Sequence, residues 1–321
     1  MLLKQLSERV RSFPLLFAGP FLLMAIPALS VYLHTGGQTT VMGFSSDLSL
    51  IGTLTLLSVV PAYLVSVMVY MYRVSSAALE SLRSLAPPAV VTAAAERIEH
   101  PPMAAYLAVP LGIFVGLQQN THAVYAMMDG IAASLMDLWV IFGNCILWVG
   151  VTVLITWRLP ISLAFKRLGS ALAFDVYQMH QVRPLPLLAT KDVLVIAGAM
   201  ALMPLQALDA EFRWVNYQAG LAVGLPAAVV FFLLPIWGLR SNIKALRSTR
   251  LAQLESQLAS TDREHIRELE ALSAHIDRIR SMSNLPIDIR LAMRLIGYAV
   301  IAPLAWVGAA LVEGLVEQVG F

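Results

Sequence analysis

The sequence predicts an all-α membrane protein, a polytopic bundle of seven spans with a cytoplasmic helical hairpin before the last span. Seven continuous apolar stretches run through the 321 residues, and the chain is 58% hydrophobic with only 13% charged residues. A soluble domain carries about 25% charged residues. Of the 22 Lys and Arg residues, 21 fall in alternate gaps between the stretches. The apolar runs are continuous rather than alternating, which favours helices over barrel strands.

The seven predicted spans have lengths that suit helices crossing a bilayer. A hydrocarbon core about 30 Å thick needs roughly 20 helical residues. The third and fifth spans are shorter, so we expect them to include polar neighbours such as Gln118 and Gln206. Before the first span, residues 2–13 carry apolar residues at helical spacing and predict an interfacial helix on the inner leaflet. The predicted spans are 15–33, 48–72, 103–117, 135–157, 193–208, 215–239 and 295–312.

The distribution of basic residues predicts the orientation. One alternate set of gaps holds all the Lys and Arg residues except Arg213, and ten of them lie between Arg240 and Arg294. Basic residues stay in the cytoplasm during insertion, so the N-terminus is predicted to be cytoplasmic and the C-terminus external. We therefore expect a multi-pass protein of a plasma membrane, and we take that membrane to be a bacterial inner membrane.

Aromatic residues beside basic ones predict where three spans meet the inner headgroup level. The pairs are Tyr72 with Arg73, Trp157 with Arg158, and Trp237 with Arg240. No ionisable residue is predicted near the centre of any span. Such residues usually mark proton relays or coupled-ion sites, so the sequence argues against an ion-driven pump or a proton-coupled transporter.

The longest segment between spans predicts a cytoplasmic helical hairpin over residues 240–290. Thr261-x-x-Glu264 matches a capping box that would start its second arm. One uninterrupted helix of more than about 40 residues would end about 60 Å away, so a hairpin is needed to return the chain to the membrane. The chain is thus divided into a membrane bundle (1–239), this hairpin, and the last span with an external C-terminus (291–321).

Apolar stripes on the hairpin arms must be covered by other residues. One interpretation is that the arms cover each other or pack on residues 158–191. The other is that the stripes also meet the same segment of neighbouring subunits and tie together a homo-oligomer. The candidate anchor residues are Leu254, Leu258, Ile266, Leu269, Leu272, Ile276 and Ile279.

Several residues inside the spans predict helix packing. Gly112-x-x-x-Gly116 and Gly220-x-x-x-Gly224 permit close helix approach. The neutral polar residues of the spans, among them Thr53 and Asn144, are expected to make interhelical hydrogen bonds rather than to contact a substrate. The single cysteine, lying mid-span, reads as a packing residue. Prolines interrupt six of the seven spans; they are either tolerated kinks or bendable points around a pore or ligand cavity.

Catalytic and cofactor motifs were sought without success. The six histidines are scattered, and the sequence contains no H-E-x-x-H, G-x-S-x-G or P-loop spacing. Asn120-Thr121-His122 with Asp129 and Asp137 is a polar cluster that could hold a metal or an acid/base pair, although an ordinary external loop is the simpler interpretation. We expect no enzyme, no cofactor and no metal. The net charge of +2 gives no indication of nucleic acid.

Two resemblances extend these predictions. Residues 234–238 (LPIWG), 285–288 (LPID) and 298–313 (YAVIAPLAWVGAALVE) resemble a run in uncharacterised bacterial multi-span membrane proteins. The whole layout is similar to the insect odorant and gustatory receptor channels, which have seven spans, a cytoplasmic N-terminus and helical extensions before the last span. That resemblance implies a homotetramer anchored by the hairpin, with a cation pore lined by the last span. Tyr298 alone matches the signature of that span.

Three functional hypotheses follow. The first is a homo-oligomeric ion channel in which acidic residues ring the outer mouth. The second is a sensor or scaffold that reads the membrane and binds a cytoplasmic partner through the hairpin. The third is a membrane enzyme or lipid-handling protein that uses the external Asn120–Asp137 loop. The expected partners are the lipid bilayer and further copies of the chain, and the sequence identifies no ligand. The candidate pore residues are Tyr298, Pro303, Trp306, Glu313 and Glu317.

Overall fold

The computed structural model describes residues 5, 13–44, 46–100, 104–206, 215–261, 265–282 and 293–298. Of these residues, 89% are helical and none lies in a strand, which confirms the all-α prediction. Short 3-10 segments cover Arg83–Leu85, Val176–Val182 and Met203–Gln206. The α-helices are α1 (Phe13–Thr35), α2 (Asp47–Leu82), α3 (Pro88–Glu99), α4 (Ala104–Gln119), α5 (Thr121–Met128), α6 (Leu135–Ala171), α7 (Pro184–Ala201), α8 (Val215–Ser260) and α9 (Ile266–Ser281).

In the described part of the chain, five helical segments are long and apolar enough to cross a membrane, so the protein is membrane-embedded. A shorter apolar helix, Tyr106–Gln119, coincides with the predicted third span. The predicted seventh span lies outside the described residues except for the helical stretch 293–298, and seven spans and their orientation remain predictions. The five segments are Pro14–Thr35, Asp47–Leu85, Leu135–Ala171, Pro184–Leu205 and Gly220–Ser260.

Three of these helices continue well beyond the predicted spans. The predicted spans end at residues 72, 157 and 239, whereas α2, α6 and α8 end at Leu82, Ala171 and Ser260. The reason is that apolar residues continue on their inward faces and form a core that also includes α3 and α7. Hydropathy alone places a span end where the membrane ends, not where the helix ends. We call the end of the bundle that carries α9 the hairpin end, and the opposite end the loop end.

The bundle has two main cores. The core at the hairpin end joins α2, α3, α6, α7 and α8 around the fully buried Phe165 and Leu82. The core at the loop end joins α1, α2 and α6 around Leu50 and Met136. At the hairpin end the chain is therefore packed like a globular domain rather than as separate loops.

The first of the two glycine motifs brings α4 against α6. A Cβ added at Gly116 would lie 2.6 Å from the Cα of Cys145, and one at Gly112 would meet the backbone of Val149. The hydroxyl of Thr152 also lies 2.8 Å from the carbonyl oxygen of Ala108 across this contact. The predicted close approach is confirmed, and Cys145 packs against a glycine as expected.

The hairpin forms, and its two arms cover each other. Leu254 of α8 packs with Ile276 and Ile279 of α9, and all three are buried. Leu258, Leu269 and Leu272 are half-buried, and Tyr177 packs on the cluster from outside the hairpin. Ile266 is 64% exposed. The apolar stripes are therefore largely satisfied within one chain, and the predicted contact between subunits stays a prediction.

The start of the second arm differs from the prediction. α9 begins at Ile266 with His265 in the N-cap position, and the hydroxyl of Thr261 instead donates 2.8 Å to the carbonyl oxygen of Gln257 in the preceding helix. At the other end of α9, the guanidinium of Arg247 donates to the carbonyl oxygens of Met282 and Arg280, at 2.7 and 3.0 Å. These bonds satisfy terminal carbonyls and fix the two arms together.

Candidate functional site

A cavity of about 340 Å³ lies among the membrane helices between α2, α4, α6, α7 and α8. It exists because α8 turns small residues toward its neighbours, namely Gly220, Gly224 and Ala227. A Cβ at Gly224 would come 2.9 Å from the sulfur of Met200, so the small residues bring α8 close to α7 while leaving space beside that contact. The volume falls in the range of about 300–1,000 Å³ typical of small-molecule sites.

The cavity has one polar end, toward the loop end of the bundle, formed by Thr53, Gln119, Asn120 and Asn144. The amide of Asn120 donates 2.7 Å to the carbonyl oxygen of Gly116, and its side-chain oxygen accepts a 3.2 Å bond from Asn144. The predicted interhelical hydrogen bond of Asn144 is thereby confirmed. Within the described part of the chain, the side-chain oxygen of Asn144 has no donor, so it is free for a ligand.

Thr53 differs from the other hydroxyl residues of α2. The hydroxyls of Thr55, Ser58 and Ser66 each donate to the carbonyl oxygen four residues earlier, as is usual for such residues in helices. Thr53 is only 6% exposed and lines the cavity, yet among the described residues its hydroxyl has no partner. The Thr53 oxygen is not fully enclosed by protein, unlike the hydroxyl of Ser162, which is buried and also lacks a partner in the described part of the chain. The Thr53 hydroxyl does not make the interhelical hydrogen bond expected of it, and it is open to a hydrogen bond with a molecule in the cavity.

The rest of the cavity wall is apolar and uncharged. Trp148, Val151 and Ile155 of α6 follow the axis of the cavity toward the hairpin end. No residue among the described lining side chains is ionisable. A charged molecule would lose its hydration there without a counter-charge, so the cavity suits a neutral molecule.

A buried ion pair lies one helical turn beyond the cavity. The Arg158 guanidinium donates to both carboxylate oxygens of Asp192, with Nε–Oδ1 2.6 Å and Nη2–Oδ2 2.7 Å. Its remaining terminal nitrogen, Nη1, donates 2.8 Å to the hydroxyl of Ser75. The two charged side chains are 2% and 3% exposed. These three residues link α6, α7 and α2 on the side of the cavity that faces the hairpin end.

This ion pair corrects two predictions. Arg158 does not lie at the inner headgroup level beside Trp157, because it is buried in the bundle and Trp157 is only 1% exposed. The expectation of no ionisable residue near the centre of any span also needs correction. Helix α7 begins at Pro184 rather than near residue 193, so Asp192 lies at the middle of its 18 residues. Trp237 is 62% exposed on the surface of the bundle, and its place at the inner headgroup level stays a prediction.

The polar cluster of residues 120–137 does not converge on a reactive centre. The carboxylate of Asp137 is fully buried and accepts six hydrogen bonds, from backbone or hydroxyl donors of Thr40, Val41, Met42 and Ser134. With Ser134 it forms the capping box of α6. Asp137 therefore organises the loop between α1 and α2, which explains its burial without any catalytic role. The described residues contain no group of three or more potential metal ligands.

Of the candidate pore residues, the structure describes only Tyr298, which is half-buried. Pro303, Trp306, Glu313 and Glu317 lie outside the described residues. The cavity itself was not predicted as a site, although Thr53 and Asn144 had been recognised as polar residues in spans. The sequence does not show that the side chains of Thr53 and Asn144 point into the same cavity.

Comparison with protein-family models, curated protein sequences and solved structures found no match.

Proposed function

We propose that the protein is a multi-pass membrane receptor that binds a small, neutral, largely apolar molecule in the cavity and relays its presence to the hairpin. The observation that carries this proposal is an apolar cavity with one polar end, where the Thr53 hydroxyl and the Asn144 side-chain oxygen accept no hydrogen bond from any described residue. This is the sensor hypothesis of the sequence analysis, now with a binding site attached.

The shape of the cavity supports an elongated ligand. Asn144 at the polar end and Ile155 at the apolar end lie about 16 Å apart along α6, at 1.5 Å per residue. A molecule that partitions from lipid gains little from apolar contacts, because lipid tails are as apolar as the cavity wall. Selectivity would then come from the hydrogen bonds to Thr53 and Asn144 and from the shape of the wall.

The continuous helix α8 supports the relay. It lines the cavity from Gly220 to Phe231 and continues to Ser260 in the hairpin, 46 residues in all, or about 69 Å of helix. Between these regions, the Asn242 amide donates to the carbonyl oxygens of Gly169 and Leu172, at 3.0 and 2.7 Å. A shift of α8 at the cavity would therefore move the hairpin about a fixed contact with α6.

Photolabelling of the full chain in lipid nanodiscs tests the proposal. The probe is 3-azioctanol, a neutral alkanol that carries a photoreactive diazirine. We expect labelled peptides to include the cavity wall at Trp148, Ile155 and Met200, and Ala227→Trp to remove that labelling by filling the cavity. Ala222→Trp is the matched control, because Ala222 is an exposed position on the same helix. Labelling confined to exposed lipid-facing residues, unchanged by Ala227→Trp, would contradict the proposal.

A homo-oligomeric ion channel is the second proposal. Its support is the resemblance in layout to the insect receptor channels, together with the 64% exposure of Ile266 on the hairpin surface. Mass photometry of the full chain and of a variant lacking residues 241–283 tests it. A tetramer that dissociates on deletion would support the anchor and justify conductance recordings with Glu313→Gln and Glu317→Gln. A monomer in both cases would exclude a pore built between subunits.

A further inference from the structure

A second cavity, of about 540 Å³, is a groove between α3 and α6 at the hairpin end. Ala93 of α3 and Pro160 and Leu163 of α6 form part of its apolar floor. Glu96, Arg97 and Arg167 stand at its border. The groove is separate from the intramembrane cavity and shares no lining residue with it.

The charges at the groove favour an anion. Arg97 and Arg167 are both exposed, and neither has a carboxylate or other hydrogen-bond partner in the described part of the chain. Glu96 also lines the groove, so the three charged side chains sum to +1. Two guanidinium groups from different helices can bind the oxygens of one phosphate through charge-assisted hydrogen bonds.

The depth of the groove can be placed from α8. A Cβ at Gly238 would collide with the carbonyl oxygen of Lys166, so these two backbones touch. The exposed Trp237 is thus level with Arg167, and an exposed tryptophan beside basic residues is typical of the membrane interface. One turn toward the membrane, Leu163 is 40% exposed, as a lipid-facing residue would be. Arg167 therefore stands at the headgroup level and Leu163 at the level of the first acyl carbons.

We propose that this groove binds one anionic phospholipid of the cytoplasmic leaflet. The lipid phosphate lies between Arg97 and Arg167. The part of one acyl chain nearest the headgroup runs along Ala93, Pro160 and Leu163. The predicted topology puts the hairpin end in the cytoplasm, where anionic lipids attract basic residues. A bound lipid would add a second contact between α3 and α6, beside the core that Ala94 and Ile98 already share with the bundle.

Native mass spectrometry of the full chain, titrated with phosphatidylglycerol or phosphatidylcholine in mixed micelles, tests the proposal. We expect phosphatidylglycerol to bind the wild type in preference to phosphatidylcholine. The double variant Arg97→Gln/Arg167→Gln should lose about 30-fold in affinity, because each basic residue at an anionic surface contributes about fivefold. Arg240→Gln/Lys244→Gln is the matched control, since it removes the same charge from exposed positions near the same level. Equal losses in both pairs would overturn a specific site.

Two further measurements distinguish a bound lipid from a bound soluble anion. Inorganic phosphate at millimolar concentration should leave phosphatidylglycerol binding unchanged, whereas displacement would assign the two arginines to a soluble phosphate compound. Ala93→Trp should weaken lipid binding by filling the floor, while Thr92→Trp, exposed and outside the groove, should not. Unchanged lipid binding in Ala93→Trp would overturn the proposed path of the acyl chain.

Discussion

Removal of the Asp192 carboxylate should be among the most destabilising single changes in the bundle. Asp192→Ala deletes both acceptors of the Arg158 guanidinium, which is 2% exposed and would keep only the Ser75 hydroxyl as a partner. Breaking a buried pair by removing one partner costs about 3–5 kcal/mol, because an uncompensated charge remains buried. At about 1.4 kcal/mol per factor of ten, the unfolding equilibrium constant should rise by a factor between about 10² and about 4 × 10³.

The assay is the free energy of unfolding of the full chain, measured by SDS-induced unfolding in mixed micelles. Glu255→Ala is the matched control, because Glu255 pairs with Arg280 at 2.8 Å but the two side chains are 50% and 59% exposed. An exposed pair contributes at most about 1 kcal/mol. The double variant Arg158→Met/Asp192→Leu removes both charges and should recover most of the loss. If Asp192→Ala costs no more than Glu255→Ala, the buried pair is not what holds α2, α6 and α7 together.

Three further predictions concern other contacts. Gly112→Leu should destabilise the bundle by about 1–3 kcal/mol, because any Cβ at this position meets the α6 backbone at Val149. Gly19→Leu is the control, because Gly19 has open space around it. Equal losses of stability in the two variants would contradict the close contact between α4 and α6. Asp137→Ala should lower the free energy of unfolding by about 2–3 kcal/mol and raise amide hydrogen exchange at residues 40–42, whose N–H groups lose their acceptor. Unchanged exchange at these residues would refute the proposed role of Asp137 in holding this loop. Leu254→Ala should raise exchange throughout α9 by about 100-fold, a cost of about 3 kcal/mol in a buried cluster, without affecting the spans.

Local patterns predicted the parts of the fold that depend on near neighbours. The Gly112-x-x-x-Gly116 spacing correctly predicted a close helix contact, and the apolar stripes correctly predicted that Leu254 and Ile276 are covered. Both patterns depend on which residues share one face of a helix, and the 3.6-residue period determines this directly.

The features that sequence reasoning missed depend on distant partners. A Trp-Arg pair at the end of an apolar run looks the same whether the arginine reaches the headgroups or pairs inside the bundle. The partner of Arg158 is Asp192, 34 residues away, so only the tertiary structure distinguishes the two cases. Likewise, Thr53 was recognised as a polar residue of a span, but a missing hydrogen bond cannot be read from a sequence. The cavity arises from facing surfaces of five helices, none of which is unusual alone.

The most direct test of the receptor proposal is a cryo-EM structure of the full chain purified in native lipid nanodiscs. The account predicts an elongated density, separate from the polypeptide, that extends from Thr53 and Asn144 toward Ile155 and Phe231. Density in that space that is continuous with the polypeptide would contradict the receptor proposal. An empty cavity in which other residues of the chain hydrogen-bond to Thr53 and Asn144 would also contradict it.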